Sequence, residues 1–140
     1  MDHDNEKIKL ANTVYEKWAA GFAEKDLDAI LDIYAEDAIL ESPLVNTLLN
    51  TDIGFIQGRD ALKNFFQIIL DKTPALKDRY KESFFTDGKT MIWEYPRITP
   101  AGQKTDMAEV MKLENGRIKT HRIYWGWVGV QQLQSDTYKA

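Results

Sequence analysis

The second half of the chain constrains the fold most, because it alternates short β-patterned segments with turn signals. The segments span residues 81–85, 90–98, 104–113 and 117–128, and the sequences TDGK, TPAG and ENGR separate them. Each segment is rich in β-branched and aromatic residues, which favour strands. Connections this short join antiparallel neighbours. The pattern predicts a four-stranded antiparallel meander.

The first half of the chain shows helical spacing instead. Between residues 6 and 24, apolar side chains recur every three or four positions and form one stripe of a helix. The stripe consists of Ile8, Ala11, Tyr15, Trp18 and Phe22. A second helix is predicted over residues 26–34, with Asp26 as its N-cap. A third follows Gly58 in GRDALKNFFQIIL.

The segment between the second and third helices is less regular. Residues 38–42, AILES, predict a short strand that Pro43 stops. Residues 43–57 show too little periodicity for a regular element, so we predict a partly apolar loop. Helices followed by an antiparallel meander predict an α+β domain, with three N-terminal helices packed on one face of a curved sheet. No repeat or linker divides the 140 residues, so a single domain is expected over 1–140.

Composition excludes several classes of function. The chain has no cysteine, which rules out disulfides and thiolate chemistry and fits a reducing compartment. A net charge of -4 without a run of Lys or Arg argues against nucleic acid binding. The N-terminus MDHDNEKIKL is acidic and polar, and no apolar run approaches the ~20 residues of a membrane span. These features predict a soluble, cytoplasmic protein. The two histidines, His3 and His121, lie far apart in the sequence, so no metal site is expected, and no cofactor is predicted.

Three stretches in this order resemble the nuclear transport factor 2-like superfamily, closest to its SnoaL-like and ketosteroid-isomerase-like branch. They are FAEKDLDAILDIYAEDAILESP, GRDALKNFF and EVMKLENGRIKTHRIYWGW. The resemblance covers about residues 10–128. It implies a cone in which a strongly bent sheet wraps round the helices and encloses an apolar pocket, commonly in a homodimer. It does not imply one reaction, because this fold hosts several chemistries and also proteins without any.

The resemblance also assigns functional positions. The general-base aspartate of ketosteroid isomerases corresponds to Ser42, which cannot take that proton unaided. The oxyanion-hole tyrosine falls near Trp18, and the protonated carboxylic acid that is the second oxyanion donor falls on Glu109. The acid that SnoaL-type cyclases carry at the end of the last strand corresponds to Gly126. Since only Glu109 keeps its chemistry, neither the usual steroid isomerisation nor the usual cyclisation is expected.

Glu109 interrupts an apolar row, and the turn ENGR decides what it meets. A two-residue turn places Glu109 opposite Arg122. A three-residue loop with a Gly bulge, which pairs Leu113 with Arg117, places it opposite His121. The resemblance favours the second register, because the family directs the last-strand positions that match His121, Ile123 and Trp125 into the pocket. We therefore predict that Glu109 meets His121.

Two interpretations of this pair remain open. A buried Glu109–His121 couple suits proton transfer on a small carbonyl or hydroxyl compound, with Trp18, Tyr15 or Ser42 holding the oxygen. Alternatively, the two side chains satisfy each other and do nothing more. Arg97 in WEYPR could meet an anionic substrate. The predicted pocket residues are Tyr15, Trp18, Phe22, Leu40, Ser42, Trp93, Tyr95, Arg97, Met107, Met111, Ile123 and Trp125.

Three functions are consistent with this pattern. The first is a cofactor-free isomerase, dehydratase or cyclase acting on a small, largely apolar compound. The second is a protein that binds such a ligand without chemistry. The third is an interaction module in which the outer sheet face, with Val110, Arg122 and Tyr124, packs on a second subunit or a partner.

Overall fold

The computed structural model describes residues 2–72, 82–98, 102 and 104–135, and the side chains of 5–72, 84–94, 102 and 106–135. Its elements in chain order are α1 (Asp2–Glu24), α2 (Leu27–Asp32), β1 (Tyr34–Glu41), α3 (Pro43–Leu49), β2 (Phe55–Gln57), α4 (Arg59–Lys72), β3 (Glu82–Thr86), β4 (Thr90–Ile98), β5 (Lys104–Glu114), β6 (Arg117–Trp125) and α5 (Trp127–Ser135). The α+β class predicted from the sequence is confirmed. The described part contains five helices rather than three.

The six strands form one open, curved sheet in the order β2-β1-β6-β5-β4-β3. Neighbours are antiparallel except for β1 and β6, which run parallel. The predicted meander of β3 to β6 is therefore present. The sheet is extended by β1 and β2 on the far side of β6, which places the first strand beside the last one.

Helices cover the inner face of the sheet and form the core with it. The predicted stripe of α1 is buried from Ala11 to Phe22, whereas Ile8 is 36% exposed. Fully buried side chains from α2, α4 and the strands complete the core: Ile30, Leu40, Leu62, Phe65, Phe66, Met91, Met111 and Ile118. Because complete burial of one large apolar side chain contributes roughly 1.5–3 kcal/mol, this layer is the main source of stability.

The second helix is shorter than predicted. Asp26 is its N-cap as expected, and its Oδ1 accepts a hydrogen bond from Ala29 N at 3.1 Å. The helix ends at Asp32, and Tyr34 already belongs to β1. The spacing of Ile30, Ile33 and Tyr34 also suits a helix, but the sheet recruits the backbone, since Ile118 N donates to Ile33 O at 2.8 Å. The first strand consequently begins four residues before the predicted 38.

Residues 43–57, predicted as a loop, contain α3 and β2. Ser42 caps α3 by accepting a hydrogen bond from Leu44 N at 3.1 Å, and Pro43 occupies the first turn. Proline is well suited to this position because its missing N–H would be unpaired there anyway. The sequence Ser-Pro stops the strand and also starts a helix.

The end of the last strand also differs from the prediction. We expected a strand over 117–128, but β6 stops at Trp125 and α5 begins at Trp127. The residue between them, Gly126, donates its N–H to Asp106 O at 2.8 Å. A Cβ at Gly126 would lie 3.3 Å from both Cβ and O of Asp106. The chain therefore turns away from the sheet at a position where a larger side chain would be crowded.

Candidate functional site

The hairpin between β5 and β6 determines which side chains face the core. Asn115 and Gly116 form a two-residue turn with φ values of 52° and 77°, as a type I′ turn requires. Glu114 therefore pairs with Arg117, and the predicted three-residue loop is wrong. The ladder then shifts by one residue, because Leu113 pairs with Ile118 whereas Lys112 pairs with Thr120, which leaves Lys119 as a bulge.

The bulge at Lys119 brings Glu109 and His121 into contact. Neither of the two turns considered from the sequence gives this register by itself. Glu109 lies opposite Ile123, and His121 lies opposite Met111. Since Glu109 and His121 are two positions apart along the same face, they meet diagonally. The predicted contact is confirmed, although the predicted direct pairing is wrong.

Glu109 and His121 form the centre of a hydrogen-bonded chain of three side chains. His121 Nε2 lies 2.7 Å from Glu109 Oε1, and His121 Nδ1 lies 2.8 Å from the hydroxyl of Tyr34. Tyr34 and Glu109 are each 1% exposed, and His121 is 2% exposed. The three side chains come from different strands, so the arrangement depends on the assembled sheet.

One oxygen atom of this hydrogen-bonded network of three side chains stands out. Glu109 Oε2 is buried and has no hydrogen-bond partner in the part of the chain that the structure describes. A carboxylate can accept several hydrogen bonds, and a buried oxygen without a donor is costly. The two oxygens of Glu109 are thus distinct, because Oε1 is held by the imidazole and Oε2 is available to a further donor.

Aromatic side chains surround the pair. The ring of Trp93, the cross-strand neighbour of Glu109, meets Tyr15 edge-on at 5.1 Å and Trp18 at 5.4 Å between centroids. The ring of Trp18 lies 6.3 Å from the imidazole, also edge-on. The surroundings are consequently apolar, and the ionisable groups lie in a medium where hydrogen bonds and charges act strongly.

Ser42, which the sequence resemblance assigned to a general-base position, has a structural task. Ser42 is buried, and its Oγ accepts hydrogen bonds from Leu44 N at 3.1 Å and from Trp125 Nε1 at 3.3 Å. The first of these caps α3, and the second ties β6 to the end of β1. No carboxylate or imidazole contacts this hydroxyl among the hydrogen bonds of the described residues, which leaves it without a base.

A groove lies beside the hydrogen bond between Ser42 and Trp125, near the Glu109–His121 pair. It has a volume of about 400 Å³ and is lined by Glu41, Ser42, Pro43, Asn46, Gly54, Arg122, Ile123, Tyr124 and Trp125. Ile123 is the cross-strand neighbour of Glu109. The groove thus reaches the strand position next to Glu109.

The other predicted pocket residues divide into groups. Leu40, Met107 and Met111 are buried on the inner face, where Leu40 pairs with His121 and Met107 with Trp125. Phe22 is buried further away and packs against Trp18 and Phe66. The backbones of Tyr95 and Arg97 belong to β4, but their side chains lie outside the described residues.

The outer face carries a second acid–base pair. Arg122 Nε donates to Glu41 Oε2 at 2.9 Å, and its Nη1 donates to the Tyr124 hydroxyl at 3.2 Å. The hydrogen bond to Tyr124 and the charge of Glu41 raise the pKa of Arg122. Glu41 points away from the core, as its alternation with Leu40 and Ser42 predicts.

Tyr34 is the site residue that sequence reasoning missed. The helical spacing of Ile30, Ile33 and Tyr34 assigned it to the second helix, where it carried no functional signal. A parallel pairing between the first and last strands would have placed Tyr34 beside β6, since Tyr34 pairs with Ile118. Short-range patterns do not reveal such a pairing.

Two kinds of feature are absent from the described residues. No helix there is both long and apolar enough to cross a membrane. Within the same ranges, no three His, Cys, Asp or Glu side chains are arranged to hold a metal ion.

Comparison with known proteins supports the fold. The sequence profile of the SnoaL-like domain matches residues 15–121. No curated protein matches significantly by sequence. A SnoaL-like protein of unknown function from Burkholderia thailandensis has a TM-score of 0.71 at 18% identity, covering 84% of this chain and 95% of its own.

Two further structures carry names that refer to reactions. A provisionally assigned isomerase from Bacillus subtilis has a TM-score of 0.70 at 18% identity, covering 96% of this chain and 99% of its own. An epoxide hydrolase/cyclase-like enzyme with a role in pyran ring formation in the polyether salinomycin has a TM-score of 0.60 at 20% identity, covering 92% and 97%. At these identities the likeness shows the fold alone.

Proposed function

The chain belongs to the SnoaL-like domain family, and on that premise we propose that it is a cofactor-free enzyme that moves a proton on a small, largely apolar carbonyl or hydroxyl compound. Glu109 is the proposed catalytic acid–base group, and His121 is its partner. The substrate's oxygen would be held by Trp18, Tyr15 or Ser42. The reaction would be of the isomerase, dehydratase or cyclase type.

The observation that carries this proposal is the asymmetry of the Glu109 carboxylate. Oε1 is held by His121 at 2.7 Å, whereas Oε2 is buried without a hydrogen-bond partner among the described residues. A purely structural pair would be more stable with both oxygens satisfied. An oxygen that is held ready but unused is the arrangement that a proton-transfer group needs.

The chemistry follows from this geometry. The carboxylate takes a proton on Oε2 from a carbon or oxygen of the substrate, and the electron pair of the broken bond stays with the substrate. Returning the proton to another atom completes an isomerisation, and giving it to a departing hydroxyl completes a dehydration. A positioned acid–base group of this kind contributes about 10²- to 10⁴-fold to a rate.

The groove beside Trp125 is the proposed entrance. Both Ile123 and Trp125 line it and also face inward from β6. A substrate that displaced these two side chains would reach the carboxylate. The apolar character of this layer and of the surrounding aromatic rings favours an apolar compound.

Deuterium exchange tests the enzyme proposal without knowledge of the natural substrate. The protein is incubated in D₂O with a panel of small apolar ketones, aldehydes and β-hydroxy ketones, and NMR measures exchange of the protons on the carbon next to the carbonyl group. We expect wild type to accelerate exchange for part of the panel. Glu109→Gln and His121→Ala should each lose at least about 100-fold. Glu94→Gln, which removes an exposed acid on the outer face, is the matched control. Undiminished exchange in both inner-face variants would sink the proposal.

The observation at Ser42 favours a second candidate, a binding protein with the same pocket and no chemistry. Its hydroxyl is occupied by the cap of α3 and by Trp125, so the usual base position is structurally committed. Ligands that raise the melting temperature and are recovered unchanged, without exchange of any proton, would favour binding over catalysis. Exchange that depends on Glu109 would exclude this candidate.

We further propose that the outer face of the sheet forms a homodimer. One cross-strand row there runs through Phe85, Ile92, Val110, Arg122, Glu41 and Phe55. Phe85 is 67% exposed and Phe55 is 51% exposed. Exposed aromatic side chains at both ends of this row, with an ion pair between them, fit a self-complementary interface.

Sedimentation at micromolar concentration tests the dimer. Wild type should sediment as a dimer and Val110→Lys as a monomer. Ile53→Lys, at an exposed position outside the row, should behave as wild type. A monomeric wild type would refute the proposal.

A cytoplasmic location is also proposed, because the absence of cysteine fits a reducing compartment. Fractionation of cells that produce the protein tests this. Recovery of the folded protein mainly outside the cytoplasm would overturn it.

A further inference from the structure

We infer that the compound that binds beside Glu109 carries a hydroxyl group and donates its proton in a hydrogen bond to Oε2 of this carboxylate. This inference rests on the proposed function and deepens it, because it selects one class from the carbonyl and hydroxyl compounds named above. Glu109 is 1% exposed, and Oε2 has no hydrogen-bond partner among the described residues. A ligand that brings a donor to Oε2 satisfies an atom that the surrounding side chains leave unsatisfied.

The contact with His121 makes Oε2 an acceptor. His121 Nε2 lies 2.7 Å from Oε1, so one proton is shared between these two atoms. Whether this proton is on the nitrogen or on Oε1, the second oxygen keeps its lone pairs and carries no proton of its own. A ligand group that only accepts hydrogen bonds, such as a ketone or an ether oxygen, therefore leaves Oε2 unsatisfied.

This role is the reverse of the one that the sequence resemblance assigns to Glu109. A protonated acid in an oxyanion hole donates a hydrogen bond to a carbonyl oxygen. In this chain the imidazole already occupies the oxygen that shares a proton, and the remaining oxygen accepts. The two roles make opposite predictions, because a donor at this place favours a ketone and an acceptor favours a hydroxyl compound.

The surroundings of the carboxylate strengthen the preference. The neighbours of Glu109 on the adjoining strands are Trp93 and Ile123. Met107 and Met111 lie two positions away on the same face of β5, as strand alternation requires. On such an apolar surface a hydroxyl group without a hydrogen-bond partner is costly. A hydroxyl compound is thus bound well only where its hydroxyl reaches Oε2.

A buried water molecule on Oε2 would lead to the same preference. Such a water would donate a hydrogen bond to the carboxylate. A ligand hydroxyl that displaced it would restore this hydrogen bond, whereas an ether or a plain ketone would not. The preference for a hydroxyl compound is therefore the same for a dry and for a hydrated site.

A β-hydroxy carbonyl compound combines this ligand class with the proposed chemistry. Oε2 takes a proton from the carbon next to the carbonyl group, the electron pair of the C–H bond forms a C=C bond, and the C–O bond to the hydroxyl breaks. The hydroxyl leaves with that proton as water, so the carboxylate returns to its starting state. A hydroxyl that already lies at Oε2 is in place to receive the proton. Among the proposed reaction types, this ligand class favours the dehydratase.

Three matched ligands test the inference in the wild-type protein. Diacetone alcohol carries a β-hydroxyl group, methyl isobutyl ketone has a hydrogen in its place, and the methyl ether of diacetone alcohol accepts hydrogen bonds without donating. NMR titration measures the affinity of each, and we expect the alcohol to bind roughly tenfold more tightly than the other two. Size alone would rank the smallest or the largest ligand first, and the alcohol is neither. Equal affinities, or tighter binding of the ketone or the ether, would overturn the inference.

An apolar replacement of the inner pair provides the second readout. Glu109→Met combined with His121→Leu removes the acceptor, so the alcohol should lose its advantage and bind no more tightly than the ether. Glu94→Gln, which removes an exposed acid, should keep the wild-type order. An alcohol that still binds first in the double variant would overturn the inference. If this variant does not fold, the order of the three ligands in wild type still decides.

These measurements separate the inference from the proposed function. Tighter binding of the alcohol, without exchange of its protons and without loss of water, would refute the enzyme and leave the ligand class intact. Proton exchange that depends on Glu109, in a protein that binds the three ligands equally well, would support the enzyme and overturn the ligand class.

Discussion

His121 and Arg122 are adjacent in the chain, and each holds a glutamate at nearly the same distance. His121 lies 2.7 Å from Glu109 on the inner face, and Arg122 lies 2.9 Å from Glu41 on the outer face. The inner side chains are 1% exposed, whereas the outer ones are 57% and 51% exposed. The two pairs share their geometry and differ in their surroundings.

The difference in burial changes what each pair can do. In the monomer, water and salt screen the outer pair, and holding two long side chains together costs entropy, so the pair contributes little to the stability of the monomer. The inner pair has lost its hydration, and an apolar replacement of both partners would often be as stable. A buried pair therefore needs another reason to be present. The proposed proton transfer is such a reason, and it rests on Oε2 of Glu109, which has no hydrogen-bond partner among the described residues.

Exchanging His121 and Arg122 is the most severe test of the difference between the inner and the outer pair. His121→Arg combined with Arg122→His would place a guanidinium among the aromatic rings and an imidazole on the surface. The guanidinium is too large for the site and brings five donors to one carboxylate, so we expect a loss of at least about 4 kcal/mol in the free energy of unfolding. Urea unfolding measures this. A swapped protein as stable as wild type would show that burial does not distinguish the two positions.

The sequence predicted only in part which face of the sheet His121 and Arg122 occupy. Long periodic segments and the Asn-Gly turn fixed the fold class and the meander, since their signals are local. The register could not be read, because the bulge at Lys119 lies between Ile118 and Thr120 without a glycine or any other local signal. The contact between Glu109 and His121 was still predicted correctly. The extra residue was predicted in the loop and lies in the strand instead, and at either place it turns the same two side chains inward.

Other parts of the site depend on contacts that are distant in sequence. Tyr34 reaches His121 across 87 positions, and Ser42 reaches Trp125 across 83. Both contacts require the parallel pairing of β1 with β6, which no turn signal announces. The contact between Glu109 and His121 could be predicted from the sequence, but the third side chain of their hydrogen-bonded network, Tyr34, could not.

Removing one partner of the inner pair should have the next largest effect. His121→Ala leaves the buried Glu109 carboxylate without a partner, which typically costs about 3–5 kcal/mol. Combining Glu109→Met with His121→Leu should recover most of this loss, because an apolar pair of similar size needs no compensation. Urea unfolding of both proteins measures the difference. A double variant as unstable as His121→Ala would indicate that the pair is retained for stability.

Removing one partner of the outer pair should have a much smaller effect. Arg122→Ala eliminates the exposed contacts to Glu41 and Tyr124, which water replaces. Its melting temperature should lie close to that of wild type at low salt, and the remaining difference should shrink as salt is added. The measurement is thermal unfolding at two ionic strengths, at protein concentrations below those at which the proposed dimer forms. A large loss that does not depend on salt would contradict the assignment of this pair to the solvated face.

The smallest expected effect concerns Asp37 and Lys119, a second outer pair at the bulge. The hydrogen bond from Lys119 is the main cause that lowers the pKa of Asp37, and the same bond raises the pKa of Lys119. A carboxyl whose pKa is lowered on folding stabilises the protein above its ordinary range, and that contribution disappears as the pH falls through the lowered pKa. Wild type should thus melt slightly above Asp37→Asn near neutral pH, and the two should converge in acid. Melting curves across the acid range measure this, and a difference that persisted at the acid end would mean that Asp37 acts through something other than its charge.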